Sequence, residues 1–385
     1  MTMTSRERVL AALNHQEPDR VPIVLGVSNA TGIKMRPYRA LKSLIGVDAP
    51  DEYIYDWPEL GTAAIDEQTM LRLHGDVRGV LDLEPKGVRE TNAAREPHSP
   101  FIDSWGTGQR EVSPGEWFPG VHPLADATTV ADLDAYPWPD PDDPTRVSHV
   151  RHQAEAFAQD GRFAVMATPW LLFPFERAFA MQGLDTFLMN MAMRPDFARA
   201  VLERIAEVCK GIMDAFLREA GELIDIIKIG DDLGTQDSLL ISPTMYRELL
   251  KPIHADFISF IKDRTQAKVL FHSDGDVFPL IEDFIEIGID ILNPIQTSAG
   301  KMSDLARLKR TYGRDIVLCG AIDTHHYLPN GTPDEIRDEV HRVIDILAPG
   351  GGYLVSSVHT VMNDVPPENL LAMVDAVEEF GYSPT

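Results

Sequence analysis

From residue 160 onward, short apolar runs rich in β-branched residues alternate with longer stretches of helical period, and that alternation limits the chain to very few folds. The strand candidates are "RFAVMAT" from Arg162, "LIDIIKIG" from Leu223, "AKVLFHS" from Ala267, "IDILNP" from Ile289, "DIVLCGAID" from Asp315 and "GYLVSSVH" from Gly352. Helix starts lie between them: Ser242-Pro243, and Thr332-Pro333-Asp334-Glu335, where Thr332 caps, Pro333 suits the first turn and Glu335 completes a capping box. Strands with continuous apolar runs, separated by helices, are parallel and buried on both faces. Before residue 160, "DRVPIVLGV" reads as a first strand, "DVRGVLDL" as another, and "PWPDPDDP" near Trp138 as a proline-rich surface connection. These staves predict a closed barrel rather than an open doubly wound sheet, and no G-x-G-x-x-G comes after a strand to argue for a dinucleotide fold.

Length agrees. The 385 residues exceed the roughly 250 of a minimal barrel, so the expectation is α/β, a single (β/α)8 TIM barrel domain over residues 1–385 with an elaborated N-terminal region. An excess of 60 acidic over 35 basic side chains, net charge -25, argues against nucleic acid and anionic membrane surfaces and leaves small molecules or proteins as partners. With only Cys209 and Cys319, no disulfide framework is expected, which suits a reducing cytoplasm. Residues 1–20 read as a short amphipathic helix rather than a signal peptide, and no run of about 20 apolar residues could span a membrane.

Each strand candidate gives way to polar residues. "IIKIG" leads to Asp231-Asp232, "KVLF" to His272, Asp274 and Asp276, "DIL" to Asn293 and Gln296, "IVL" to Cys319 and Asp323, and "YLVSSV" to His359, Asn363 and Asp364. In a parallel barrel these positions share the C-terminal rim, where barrel enzymes place their chemistry. Taken singly, each has a plainer explanation: Asp, Asn and Ser after strands make turns or cap helices, His325 and His326 suit a solvated loop, and a cysteine at a strand end suits a small buried filler. Convergence of five strand ends on His, Asp and Cys favours a site. His272 and Asp274, two apart in extended chain, face the same way and can reach one metal ion, with Cys319 or His359 as a third donor. Trp170, Phe173, Phe175, Trp105 and Met166 are candidates for pocket walls, all equally explicable as core, and Gln296 and Asp323 for polar contacts to substrate.

"TSRERVLAALNHQEPDRVPI" at the start, "HSDG", "CGAIDT" and "VPPENL" resemble the uroporphyrinogen decarboxylase superfamily across essentially the whole chain. The resemblance implies a (β/α)8 barrel, a homodimer, and one of two chemistries: decarboxylation, or zinc-dependent methyl transfer serving corrinoid proteins. The decarboxylases carry R-Q-A-G-R after the first strand to bind porphyrin carboxylates; here Leu25 to Gly32 reads "LGVSNATG", with arginines only later at Arg36 and Arg39, so a tetra-acid porphyrin is disfavoured. His359 matches the family's C-terminal histidine, without the decarboxylases' flanking glycines. The thiol-methylating members carry H-x-C and a later cysteine as zinc ligands; His272 and Cys319 match two of these and Asp274 replaces the third. A carboxylate in place of a thiolate makes a harder Lewis acid, suited to an oxygen substrate. The resemblance therefore implies a methyltransferase component that demethylates a small methoxylated substrate, with zinc on His272, Asp274 and Cys319. Asp231, Asp232 and His359 would hold the substrate or protonate the leaving oxygen, and the methyl group would pass to a separate corrinoid protein. "DTHHYL" at Asp323 only mimics the corrinoid carrier's D-x-H-x-x-G. The alternative is a metal-free decarboxylase or lyase acting on a smaller carboxylated substrate; a binding protein on a degenerate barrel ranks last.

Overall fold

In a computed structural model the chain is described for residues 2–382, apart from 57, 97–98, 114–115, 160 and 170–172. Seven parallel strands form the central sheet: β1 (Val77–Val80), β2 (Ala164–Ala167), β3 (Ile226–Gly230), β4 (Lys268–His272), β5 (Ile291–Ile295), β6 (Val317–Ile322) and β7 (Tyr353–Ser357), each paired with its neighbour in chain order. Residues 22–27 supply the eighth stave. Ile23 bridges Val355 of β7 in parallel, and on the other side the Asp76 N–H donates to the Ile23 carbonyl at 3.0 Å, so the ring closes as a TIM barrel. Pro22 lacks a donor and Gly26 turns the chain with φ 75°, which keeps this stave to a bridge rather than a regular strand.

Side-chain parity sorts the barrel into two cores. Ile226, Leu270, Ile291, Val317 and Leu354 point inward and pack with Val77, Ala164 and Met166. The alternate residues, among them Ile227, Val269, Leu292 and Leu318, pack outward into the larger core with the helices. Helix α1 (Ser5–Leu13), begun by the capping box of Thr4 and Glu7, presses Val9, Ala12 and Leu13 onto the inward layer and plugs the N-terminal end. That leaves the C-terminal end as the open one. Two steps on from the apolar layer, the inward positions become Lys228, His272, Asn293, Cys319 and Ser356, so polarity rises towards the mouth.

The predicted helix starts are present: Ser242 accepts the Met245 N–H, and Thr332 with Glu335 forms the capping box of helix Pro333–Leu347. The N-terminal elaboration includes a three-stranded antiparallel sheet, Phe101–Ile102, Gly108–Ser113 and Glu116–Val121. It is tied to the barrel through Asp103, which receives Arg177 of helix α2 (Pro174–Gln182) at 2.6 Å in a buried pair. Among the described residues no helix is long and apolar enough to cross a membrane.

Candidate functional site

"HSDG" leaves β4 at His272 and turns at Gly275, whose φ of 88° suits glycine. A Cβ there would lie 2.4 to 2.6 Å from the backbone of Gly234 and Thr235, so two rim loops touch main chain to main chain and fix Asp274 over the mouth. Its backbone N–H donates to Asp232 Oδ1 at 2.9 Å, and Gln296 Oε1 accepts the Gly275 N–H at 2.6 Å.

His272, Asp274 and His359 converge, with one ligand atom from each lying within 4.8 Å of the others. Asp274 Oδ2 is 3.7 Å from Nε2 of each histidine, too long for a hydrogen bond. Asp274 Oδ1 is buried with no partner among the described residues. The Nδ1 of His272 is engaged at 2.8 Å by Asn293 Oδ1, which leaves the Nε2 lone pair aimed at the carboxylate, the arrangement that prepares a metal-binding imidazole. His359 keeps 41% of its side chain open to the cavity, yet the protein crowded round its ring, seconded by His272, Lys228 and Lys34 and opposed by Asp274, holds its pKa at about 4. It is a neutral donor at neutral pH. A carboxylate with one oxygen 3.7 Å from two imidazole nitrogens and the other buried without a partner among the described residues fits a divalent cation of the zinc type with positions left open. Beside the cluster a cavity of ≈ 480 Å³ is lined by Asp274, Gln296, His325, His359, Thr360 and Met362, among others.

The remaining sequence candidates divide. Asp232 joins the site, its Oδ1 4.0 Å from His272 Nε2, and burial together with the Asp274 charge raises its pKa, against the pull of His272. Asp231 turns away from the mouth. Fully buried, it accepts the N–H groups of Phe175 at 3.2 Å and Glu176 at 2.9 Å, capping α2, and pairs with His254 Nε2 at 2.9 Å. Cys319 also stays out of the cluster, because β6 does not end at Leu318 but runs on to Ile322. The thiol therefore lies mid-strand in the inward apolar layer, 3.5 Å from Asn293 Nδ2, and burial pushes it up to about 12. Phe173 is fully buried against Phe257 and Phe271, and Phe175, Trp105 and Met166 are likewise core. Asp323 spends its carboxylate on the N–H groups of His325, His326 and Tyr327, which makes it a turn cap. Trp170 lies outside the described residues.

Three residues at or beside the mouth escaped the sequence reading: His254, Glu176 and Lys228. His254 had a signal, since it shares the buried face of helix α3 (Lys251–Lys262) with Phe257, Ile258 and Ile261. Glu176 had none; burial, then the charges of Asp232, Asp231 and Asp274, raises its pKa well above the carboxylate range, with Lys228 opposing. Lys228 was visible as the lone charge in "IIKIG", at the same parity as Ile226.

Comparison with known proteins gives concordant findings. The family model described as uroporphyrinogen decarboxylase (URO-D) matches residues 114–380. The uroporphyrinogen decarboxylase of Alkalilimnicola ehrlichii is 25% identical, covering 98% of this chain and 95% of its own length, and that of Aeromonas salmonicida is 23% identical, covering 65% of this chain and 68% of its own. Among solved structures, a methyltransferase from Methanosarcina mazei superposes with a TM-score of 0.63 at 20% identity, covering 98% of this chain and 99% of that one. The last likeness is one of fold.

Proposed function

The chain belongs to the uroporphyrinogen decarboxylase (URO-D) family, and on that premise we propose that it is a metal-dependent methyltransferase component that demethylates a small methoxylated substrate and hands the methyl group to a separate corrinoid protein. The observation that carries this reading is the convergence of Asp274 Oδ2 with the Nε2 atoms of His272 and His359, 3.7 Å from each, on a carboxylate whose other oxygen has no partner among the described residues. A zinc ion held by those three residues would supply Lewis-acid polarisation of the ether oxygen and stabilise its negative charge as the methyl leaves. The protein's own groups do the rest. Asn293 keeps His272 in the tautomer that presents Nε2. Asp274 is held in place through its own N–H by Asp232, and Asp232, whose raised pKa favours a retained proton, stands next to the cluster as the acid for the departing oxygen. A reduced corrinoid on the partner would supply the nucleophile that accepts the methyl group, while the substrate oxygen would keep the pair of the broken bond and take its proton from Asp232.

A second reading, a metal-free decarboxylase on a smaller carboxylated substrate, is favoured by the names of the curated relatives. Against a porphyrin substrate stands the exterior position of Arg36 and Arg39, the latter paired with Asp51 at the surface. The two readings part in one experiment. Purified protein, assayed with methoxylated compounds and reduced cobalamin, is expected to contain zinc and to form methylcobalamin, and to lose both with Asp274→Ala. Carbon dioxide release from carboxylated substrates by zinc-free protein, with no methylcobalamin from zinc-loaded protein, overturns the proposal in favour of the second reading.

A further inference from the structure

Three cations sit on the barrel strands as Arg78, Lys228 and Lys268, and two of them have an obvious partner. Arg78 meets Glu67 at 2.8 Å and Lys268 approaches Asp290 at 3.5 Å. Lys228 meets no carboxylate within 4.0 Å among the described residues; its one polar contact is Asn29 Oδ1 at 3.5 Å, the outer limit of a hydrogen bond. It is also the only residue of β3 that is not fully buried. Since its neighbours in parity, Ile226 and Gly230, line the barrel interior, the open part of Lys228 faces the mouth.

The surroundings of the ammonium group give its place. Asn29 is fixed by Thr360, whose hydroxyl donates to the Asn29 carbonyl, and Thr360 directly succeeds His359 in the cavity wall. The charges that act on Lys228 are those of Glu176, Asp232 and Asp274, and Lys228 in turn acts on His359. It therefore shares the mouth with the candidate metal centre without touching it. A lysine present only to offset the neighbouring carboxylates would close on one of them, as Lys268 does on Asp290. An ammonium group whose one polar contact among the described residues is an acceptor at the limit of hydrogen bonding has donors left for a ligand.

Building on the methyltransferase reading above, we propose that Lys228 anchors a carboxylate of the substrate, so that the protein takes a methoxylated carboxylic acid with its ether oxygen at His272, Asp274 and His359 and its carboxylate on Lys228. A single ammonium group suits the single charge of a carboxylate. The compact lysine head also lacks the fork that binds phosphate bidentately.

Binding, not turnover, tests this. Isothermal titration of zinc-loaded protein with para-methoxybenzoate and methoxyacetate, each beside its neutral carboxamide, is expected to show at least one carboxylate binding about ten-fold or more tighter than its amide, the order of one charge-assisted contact. Lys228→Met should erase that preference while zinc content and melting temperature stay close to wild type, and Lys228→Arg should keep most of it. Equal affinity within every pair, no binding of either carboxylate, or a preference that survives Lys228→Met overturns the inference. Because zinc content is read separately, a zinc-loaded protein that ignores the carboxylate sinks only this inference, whereas a protein that prefers carboxylates yet forms no methylcobalamin sinks only the methyltransferase reading.

Discussion

Asp231 and Asp232 are consecutive at the end of β3, yet each meets a histidine in a setting opposite to the other's. Asp231 is closed: two backbone N–H groups and His254 Nε2 satisfy it, and Phe173, Tyr246 and Phe271 ring the imidazole at centroid distances of 5.3 to 5.7 Å. Asp232 belongs to the open cluster, in which both histidines stand 3.7 Å from Asp274 and one carboxylate oxygen has no partner among the described residues. The same residue types thus build a joint in one place and a site in the other. What separates them is hydrogen-bond satisfaction: a buried polar group with every valence used stabilises the fold, and one left open is waiting for a ligand.

The sharpest way to break that comparison is a pair of substitutions. Asp231→Ala strips α2 of its cap and leaves His254 buried without its acceptor, so a loss of about 3 kcal/mol in unfolding free energy is expected, with zinc binding preserved in the folded fraction. Asp274→Ala removes one of three donors and should abolish zinc binding while changing the metal-free stability by less than about 0.5 kcal/mol, since the lost carboxylate had an unpaired oxygen. Urea melts and elemental analysis of both variants read the two effects. If Asp231→Ala loses the metal and keeps its stability, joint and site have been assigned the wrong way round.

A smaller effect probes the electrostatics of the open side. The His359 pKa in the folded protein, about 4, lies below its ordinary value of 6.5, so between these values the unfolded chain carries the extra proton. Stability then rises with pH through that window; it is complete above 6.5 and lost as pH falls towards 4. His359→Gln cannot titrate. In the metal-free protein its urea midpoint should depend less steeply on pH between 4 and 6.5 than that of wild type, and parallel curves would show that the crowding round the ring does not hold the imidazole neutral.

How much of this could be read from the chain alone tracks the same divide. The barrel was legible because burial on both faces writes continuous apolar runs, and "KVLFH" and "YLVSSVH" delivered His272 and His359 to the rim at their predicted positions. Convergence of those two with Asp274 came from parity and fold. Satisfaction is not written in the sequence. Asp231 differs from Asp232 by a single step along the chain just past β3, and only packing shows that the step turns one towards α2 and His254 and leaves the other at the mouth. Glu176 was invisible for a related reason, since its helix is placed by contacts distant in sequence, among them the Asp231 cap. Lys228 could have been found, because one charge inside an apolar strand of known parity must face either the core helices or the mouth.

The smallest expected effect concerns Cys319, which the family pattern offered as a zinc ligand. A strand ending at Leu318 would put the thiol on the rim; β6 instead continues to Ile322 and leaves Cys319 inside, fully buried beside Asn293. Burial holds the thiol at about 12, so hardly any thiolate exists at neutral pH to bind a metal or an alkylating agent. Cys319→Ala should therefore keep the full zinc content and cost only about 1 kcal/mol of stability for the small cavity left in the inward layer. Native wild-type protein should likewise resist iodoacetamide at this position until denatured. Zinc loss in Cys319→Ala would mean that the thiol reaches the ion after all, and that His272, Asp274 and His359 are not the complete donor set.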